Sequence, residues 1–301
     1  MYTHKNFAFG FSTLLNIFNT KNKKLIDFAI KNDLYFHISI SYPQTFYILK
    51  ILINKKSRRK IRFIAKVCGD TNDNLLKCIN QTLNKFSIKK ISIIQIINLP
   101  FTTLKNRNFN NINYSEFNKI LEQIKSLKEK KIISKSFIQI YQSDELEFVE
   151  KITKYFDGVT FYADLYSVGL KENVYNYIIQ KDLNCMILSI FGGQKKTYLK
   201  NLNIRSYLHS QKNFTNNTIA VGRTTRIDNL NEITNYDYIN SNEFKIDKTV
   251  KFELKGNEED SSVYFKAYNS SNKIHFFKYL LVCFLKKMLP INYILKNRKT
   301  G

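Results

Sequence analysis

Eight short runs of β-branched and aromatic residues, each set off from the next by a polar stretch, constrain this chain more than any other feature of its sequence. They are FAFG at 7–10, YFHIS at 35–39, IRFIAKV at 61–67, ISIIQIIN at 91–98, KKIISKSFI at 130–138, GVTFYA at 158–163, CMILSIF at 185–191 and TIAVG at 218–222. Runs of this length and composition, bounded by polar residues, predict strands. Between several of them the hydrophobic period changes to that of a helix, in KKLIDFAIKN at 23–32, DNLLKCINQTLNKF at 73–86, YSEFNKILEQIKSLKEK at 114–130 and SDELEFVEKITKYF at 143–156. The last opens with Ser143 and acids in its first turn, the composition of a helix start. Strands alternating with helices imply βαβ units, right-handed crossovers and a parallel sheet. Eight repeats favour closure into an α/β (β/α)₈ TIM barrel over an open doubly wound sheet. Such a barrel takes about 250 residues as one unit, which a chain of 301 residues supplies.

Beyond about residue 238 the rhythm stops, so the sequence divides into a barrel of residues 1–238 and a C-terminal extension of residues 239–301. Within the extension, 239–262 is polar and reads as loop or irregular hairpin. IHFFKYLLVCFLKKMLPINYIL at 274–295 reads as an amphipathic helix with basic flanks. Lys278, Lys286 and Lys287 interrupt its apolar run, which falls short of the roughly 20 residues that a membrane span needs. A helix of this kind packs on the barrel, lies on an anionic membrane surface with its lysines snorkelling outward, or binds a partner. Peripheral membrane contact through 274–295 is therefore one of three readings of the extension.

Lys and Arg number 48 against 24 Asp and Glu, a formal charge of +24. On its face that suggests a polyanionic partner. The excess is mostly Lys, spread along the whole chain among many Asn and Ile, which is a compositional bias more than a patch, and no specific nucleic-acid site is expected. Cys68, Cys78, Cys185 and Cys283 share no CxxC spacing, so neither a zinc motif nor a disulfide framework is visible. Free thiols fit an intracellular protein. The opening MYTHKNFAFGFS lacks the basic segment and long apolar run of a signal peptide, and a cytoplasmic location is the expectation. His4, His209 and His275 have no acid or cysteine at ligand spacing, so no metal site is expected.

Barrels of this kind work at the carboxyl ends of their strands. There the sequence places His37 and Tyr42 around the end of the second run, Lys66 near the end of the third and Asn98 at the end of the fourth. Lys66, inside IRFIAKVCG, either points into the barrel mouth or solvates its rim. AVGRTTRIDNLNEI at 220–233 follows the eighth run with two arginines at a helix start. Backbone N–H groups there make an anion site, or the segment is an ordinary basic loop of a basic protein.

The succession FAFGFSTL, KKLIDFAIKNDLYFHISISYPQTFYILKILI, RRKIRFIAKVCG and LLKCINQTLNKFSIKKISIIQIINLP resembles the opening half of an aldo/keto reductase, and the resemblance runs on to about residue 235. In that family a strand ending in an Asp-Thr-Ala type sequence leads to a Tyr-Gly turn, a later strand ends in Thr-Lys, and a still later one ends in His. The resemblance implies a TIM barrel, NADP(H) as cofactor and reduction of a carbonyl on a small polar substrate such as a sugar. It puts Tyr42 at the proton-donating tyrosine and Lys66 at the lysine that lowers the pKa of that tyrosine. His37 stands where the family has the aspartate paired with the lysine, and Asn98 where it has the histidine that orients the carbonyl. A neutral His37 can only accept a hydrogen bond in the aspartate's place, while Asn98 can still donate one to a carbonyl oxygen.

For the cofactor, the family's Ser-Asn pair and Gln around the nicotinamide amide correspond to Gln139, Ile140 and Thr160. Ser189 and Phe191 correspond to the strand end beneath the pyrophosphate. Gly222, Arg223, Thr224, Thr225, Arg226 and Asn229 correspond to the loop and helix start that bind the adenosine phosphate of NADPH. With two catalytic positions replaced, the resemblance implies either a working reductase with a divergent active site or a catalytically degenerate barrel with a binding or regulatory role.

Overall fold

The computed structural model describes residues 7–10, 20–40, 49, 51–102, 107–164, 167–190, 218–222, 228, 230–231, 251–252, 281 and 284. All eight expected strands occur, and they close into a parallel barrel. In order around it stand β1 (Phe7–Gly10), β2 (Tyr35–Ser39), β3 (Arg62–Val67), β4 (Ile91–Ile96), β5 (Ile133–Gln139), β6 (Gly158–Tyr162), β8 (Cys185–Leu188) and β9 (Ile219–Gly222). Closure is made by β9 against β1, with Phe7 beside Ala220 and Phe9 beside Gly222. Two further strands were not expected: β7 (Ser167–Val168) and β10 (Lys251–Phe252) pair in parallel outside the barrel. β10 lies in the stretch read as loop or hairpin, so this part of the extension adds a strand to the turn that follows β6.

The described helices are α1 (Thr20–Lys31), α2 (Lys55–Arg58), α3 (Asn72–Phe86), α4 (Tyr114–Glu129), α5 (Leu146–Ile152) and α6 (Glu172–Gln180). α3 starts where Thr71 accepts a hydrogen bond from the Asn74 N–H at 3.1 Å, and it stops at Ser87 in the left-handed region, φ 53°. That is the side-chain cap and the αL exit expected of a well-delimited helix. α5 departs from expectation. It begins at Leu146 instead of just after Ser143, and Glu145 at its N-cap makes no side-chain cap bond. Asp144, the first acid of the expected opening turn, is turned away to accept the Tyr141 N–H at 2.9 Å. The fifth strand also begins later than the apolar run, because Lys131 takes φ 56° and the Ile132 N–H closes back on Leu127 O to end α4.

Two apolar compartments follow from strand alternation. One set of strand side chains, among them Phe36, Phe63 and Phe161, points outward and packs with helix residues such as Phe86 and Phe117. The other fills the barrel, where Ala8, Ile64, Ile93, Phe137, Met186 and Ile219 form one buried cluster. The barrel is thus a packed plug below, as the layered interior of this fold requires, and only the last inward positions of the strands are left for polar groups. Among the described residues no helix is long and apolar enough to cross a membrane.

Candidate active site

A residue two places beyond an inward-facing one faces inward again. From Tyr35, Ile64, Ile93 and Phe137 in the barrel interior this step leads to His37, Lys66, Gln95 and Gln139, one on each of β2, β3, β4 and β5. Thr160 joins them on β6, directly beside Gln139 in the register. Each of these five is buried, with Lys66 4% exposed and Thr160 fully covered. The ambiguity about Lys66 is thereby settled: it belongs to the inward layer at the carboxyl end of the barrel, not to the rim.

Three of these side chains form a continuous chain of hydrogen bonds. His37 Nε2 lies 2.6 Å from Gln95 Oε1, Gln95 Nε2 donates to Gln139 Oε1 at 2.7 Å, and Gln139 Nε2 donates to the Ile140 carbonyl at 3.3 Å. Burial pushes the His37 imidazole down from 6.5 to about 4, with the Gln95 hydrogen bond opposing the shift and the Lys66 charge adding to it. The ring is therefore neutral at physiological pH, as a buried base near a cation must be. Thr160 is the exception to this satisfaction. Its Oγ1 is buried and has no hydrogen-bond partner, an arrangement that costs about 1–3 kcal/mol unless something else supplies a partner.

Asn98 sits just beyond β4, 6% exposed, with its Nδ2 on Cys68 Sγ at 3.8 Å. Gly69 makes this approach feasible, because a Cβ there would meet Asn98 O at 2.9 Å and Ile96 Cγ2 at 2.7 Å. The Cys68 thiol in turn donates to Asp70 Oδ1 at 3.0 Å. Burial, followed by the Asp70 charge, raises its pKa far above the ordinary thiol range, so it is not a nucleophile. Ser189 follows β8 in a left-handed conformation, φ 59°, and the strand ends three residues before the apolar run does. Gly222 closes β9. Tyr42, Phe191, Arg223, Thr224, Thr225, Arg226 and Asn229 lie outside the described residues.

Sequence reasoning overlooked two parts of this site. Gln95 is the middle of the hydrogen-bond chain, and its signal was a lone amide at an inward position of an otherwise apolar strand. The second part is a buried ion pair between Arg107 and Asp144, with side chains 4% and 0% exposed. Arg107 Nε donates to Asp144 Oδ1 at 2.7 Å and Nη2 to Asp144 Oδ2 at 3.3 Å. Nη2 also donates to the Gln139 carbonyl at 3.0 Å, and the guanidinium covers the Tyr141 ring at 4.6 Å from its centroid. The pair clamps the loop after β4 to the exit of β5, where Gln139 stands.

No family model matches the sequence, and no curated protein matches it. Solved structures do resemble it. An aldo-keto reductase from Klebsiella pneumoniae in complex with NADPH superposes with a TM-score of 0.55 at 10% identity, over 76% of this chain and 84% of that one. Aldose reductase from Giardia lamblia gives 0.52 at 10% identity, over 88% and 97%. An aldo/keto reductase from Brucella melitensis gives 0.51 at 11% identity, over 88% and 94%. The chain has an aldo-keto reductase-like (β/α)₈ barrel fold, at a sequence distance that makes it divergent from these structures.

Proposed function

We propose that this barrel is an NADP(H)-dependent oxidoreductase that reduces a carbonyl on a small polar substrate, sugar-like in its hydroxyl content. The observation that carries the reading is the inward polar layer at the carboxyl end, in which Lys66 shares the space with His37, Gln139 and the unpartnered Thr160 hydroxyl. What supports a carboxamide ligand here is chemical: the orphaned Thr160 Oγ1 would donate to its oxygen or accept from its nitrogen, beside the Gln139 amide of β5. Gln139 and Thr160 would therefore hold the nicotinamide end, Ser189 and Gly222 would line the diphosphate path, and Arg223, Thr224, Arg226 and Asn229 would hold the adenosine phosphate. When bound, NADPH supplies the hydride that adds to the carbonyl carbon. Tyr42 gives its phenolic proton to the carbonyl oxygen as the C=O π pair leaves carbon. The Lys66 ammonium stabilises the phenolate that remains. Asn98 donates a hydrogen bond to the same carbonyl oxygen, and His37, neutral, accepts one where a carboxylate would carry charge.

The test is titration of the purified protein with NADPH and NADP⁺, with Arg223→Ala and Arg226→Ala alongside. Micromolar binding weakened in both variants, followed by turnover of a sugar aldehyde, is expected. No binding at millimolar cofactor would end the proposal. A second reading, a barrel that binds these ligands without turning them over, is favoured by the replacement of the family's aspartate with a ring that burial keeps neutral. Binding without turnover across a carbonyl panel is its signature. For the extension, Leu281 and Phe284 are exposed, 57% and 48%, and stand three residues apart, the spacing of one helix face. Contact with an anionic membrane through 274–295 is tested by removing residues 263–301, and unchanged membrane fractionation would exclude it.

A further inference from the structure

The chain of side chains from β2 to β5 has a direction, and the direction is set at its far end. The Ile140 carbonyl can only accept, so the amide of Gln139 must turn Nε2 toward it, at 3.3 Å. Gln139 Oε1 then faces Gln95, which must answer with Nε2, at 2.7 Å. That leaves Gln95 Oε1 facing His37 at 2.6 Å, and an amide oxygen requires a donor. Each amide orientation is forced by the next, from a backbone oxygen that cannot change its role. The ring nitrogen beside Gln95 must therefore carry its proton, and in a neutral ring Nδ1 is left as the acceptor.

We propose that Gln95 is a positioning residue, which with Gln139 behind it selects the Nε2–H tautomer of His37 and so gives the site a hydrogen-bond acceptor where the reductases it resembles carry a carboxylate. The proposal rests on the reductase reading for its consequence in catalysis, but not for the tautomer. Its chemical sense lies in the company of His37. In the register His37 stands between Gly10 of β1 and Ile64 of β3, and Lys66, two residues beyond Ile64, carries the charge that acts on the ring. The opposite tautomer would present an N–H dipole from Nδ1 in a layer that already contains an ammonium. An acceptor there is compatible with Lys66, and it imposes no second charge on a buried layer.

The experiment uses the full chain labelled with ¹⁵N-histidine, with the His37 signals identified by their loss in His37→Gln. The expected spectrum at neutral pH is a pyrrole-type Nε2 and a pyridine-type Nδ1 in slow proton exchange. Gln139→Leu, which does not touch the ring, frees Gln95 to turn over and is expected to give averaged tautomers. Gln95→Glu keeps the shape, places a carboxylate on Nε2–H and is expected to convert the ring to imidazolium at neutral pH; it decides the matter should Gln139→Leu not fold. A mixed or Nδ1–H tautomer in the wild type, or Gln139→Leu without effect, overturns the proposal. With turnover in hand, Gln95→Leu is expected to lower kcat about tenfold, the scale of one lost orienting hydrogen bond. Combining it with His37→Gln should add nothing further, and an unchanged kcat in Gln95→Leu refutes the positioning role. Selected tautomer without any NADPH binding removes the reductase reading and leaves the positioning of the ring standing.

Discussion

Replacing Arg107 with methionine should destabilise the fold by about 3–5 kcal/mol, the scale for stripping one partner from a buried ion pair. The structure supports the full range. Asp144 is completely covered and Arg107 is 4% exposed, so neither charge can turn to water. Methionine retains the volume over the Tyr141, Phe101 and Phe148 rings that the guanidinium now covers, which keeps the cavity contribution small. The losses include the two bonds to the carboxylate at 2.7 and 3.3 Å and the one to the Gln139 carbonyl at 3.0 Å. The Asp144 carboxylate keeps the Tyr141 N–H but loses the Arg107 charge. Urea unfolding followed by circular dichroism measures the loss. Arg107→Met with Asp144→Leu removes both charges of the pair, and it should recover about 2 kcal/mol relative to the sum of the single changes. A cost below about 1 kcal/mol for Arg107→Met, or strict additivity in the pair, would refute the reasoning. Because Arg107 also holds the exit of β5, NADPH affinity in Arg107→Met should fall even at temperatures where the protein is folded.

Acid should act through His37. Its pKa is lowered in the fold from 6.5 to about 4, so between those values the unfolded chain binds the proton and the native state does not. Stability is then fully present above pH 6.5 and declines as pH falls toward 4, by about 3 kcal/mol in all. Urea midpoints across that window should drop less in His37→Gln, and equal slopes would exclude the assignment. Thr160→Val removes a buried hydroxyl without a partner at nearly constant shape. The apoprotein should gain about 1 kcal/mol while NADPH binding weakens about tenfold; a loss of stability would mean that the hydroxyl is satisfied. Ser87 exits α3 at φ 53°, a conformation that glycine adopts freely, so Ser87→Gly should raise stability by about 0.5 kcal/mol, and a lower unfolding midpoint would count against that.

The barrel was legible because each strand announces itself by its β-branched and aromatic composition, and several do so again by a change of period beside them. Lys66 was legible from its place near a strand end and Gln139 through the family resemblance, and each breaks an inward apolar series. Lys66 follows Ile64 by two and Gln139 follows Phe137 by two, and their strands then deliver both to one layer. Gln95 obeys the same rule after Ile93 and was passed over because ISIIQIIN reads as uniformly apolar unless the two faces are separated. The Arg107–Asp144 pair obeys no periodicity. Its members lie 37 residues apart in the segments after β4 and β5, and only the pairing of those two strands brings the segments together. The misplaced start of α5 has the same origin, since Asp144 looks like a first-turn acid until Arg107 and the Tyr141 N–H claim its oxygens. The hydrogen-bond polarity of the site is a further step removed. No single residue of His37, Gln95 and Gln139 specifies a tautomer; the specification comes from a backbone carbonyl at Ile140, transmitted across strands that the sequence order separates. A substitution at Gln139 should therefore be felt at His37, on the far side of β3 and β4, more sharply than many changes closer to the ring.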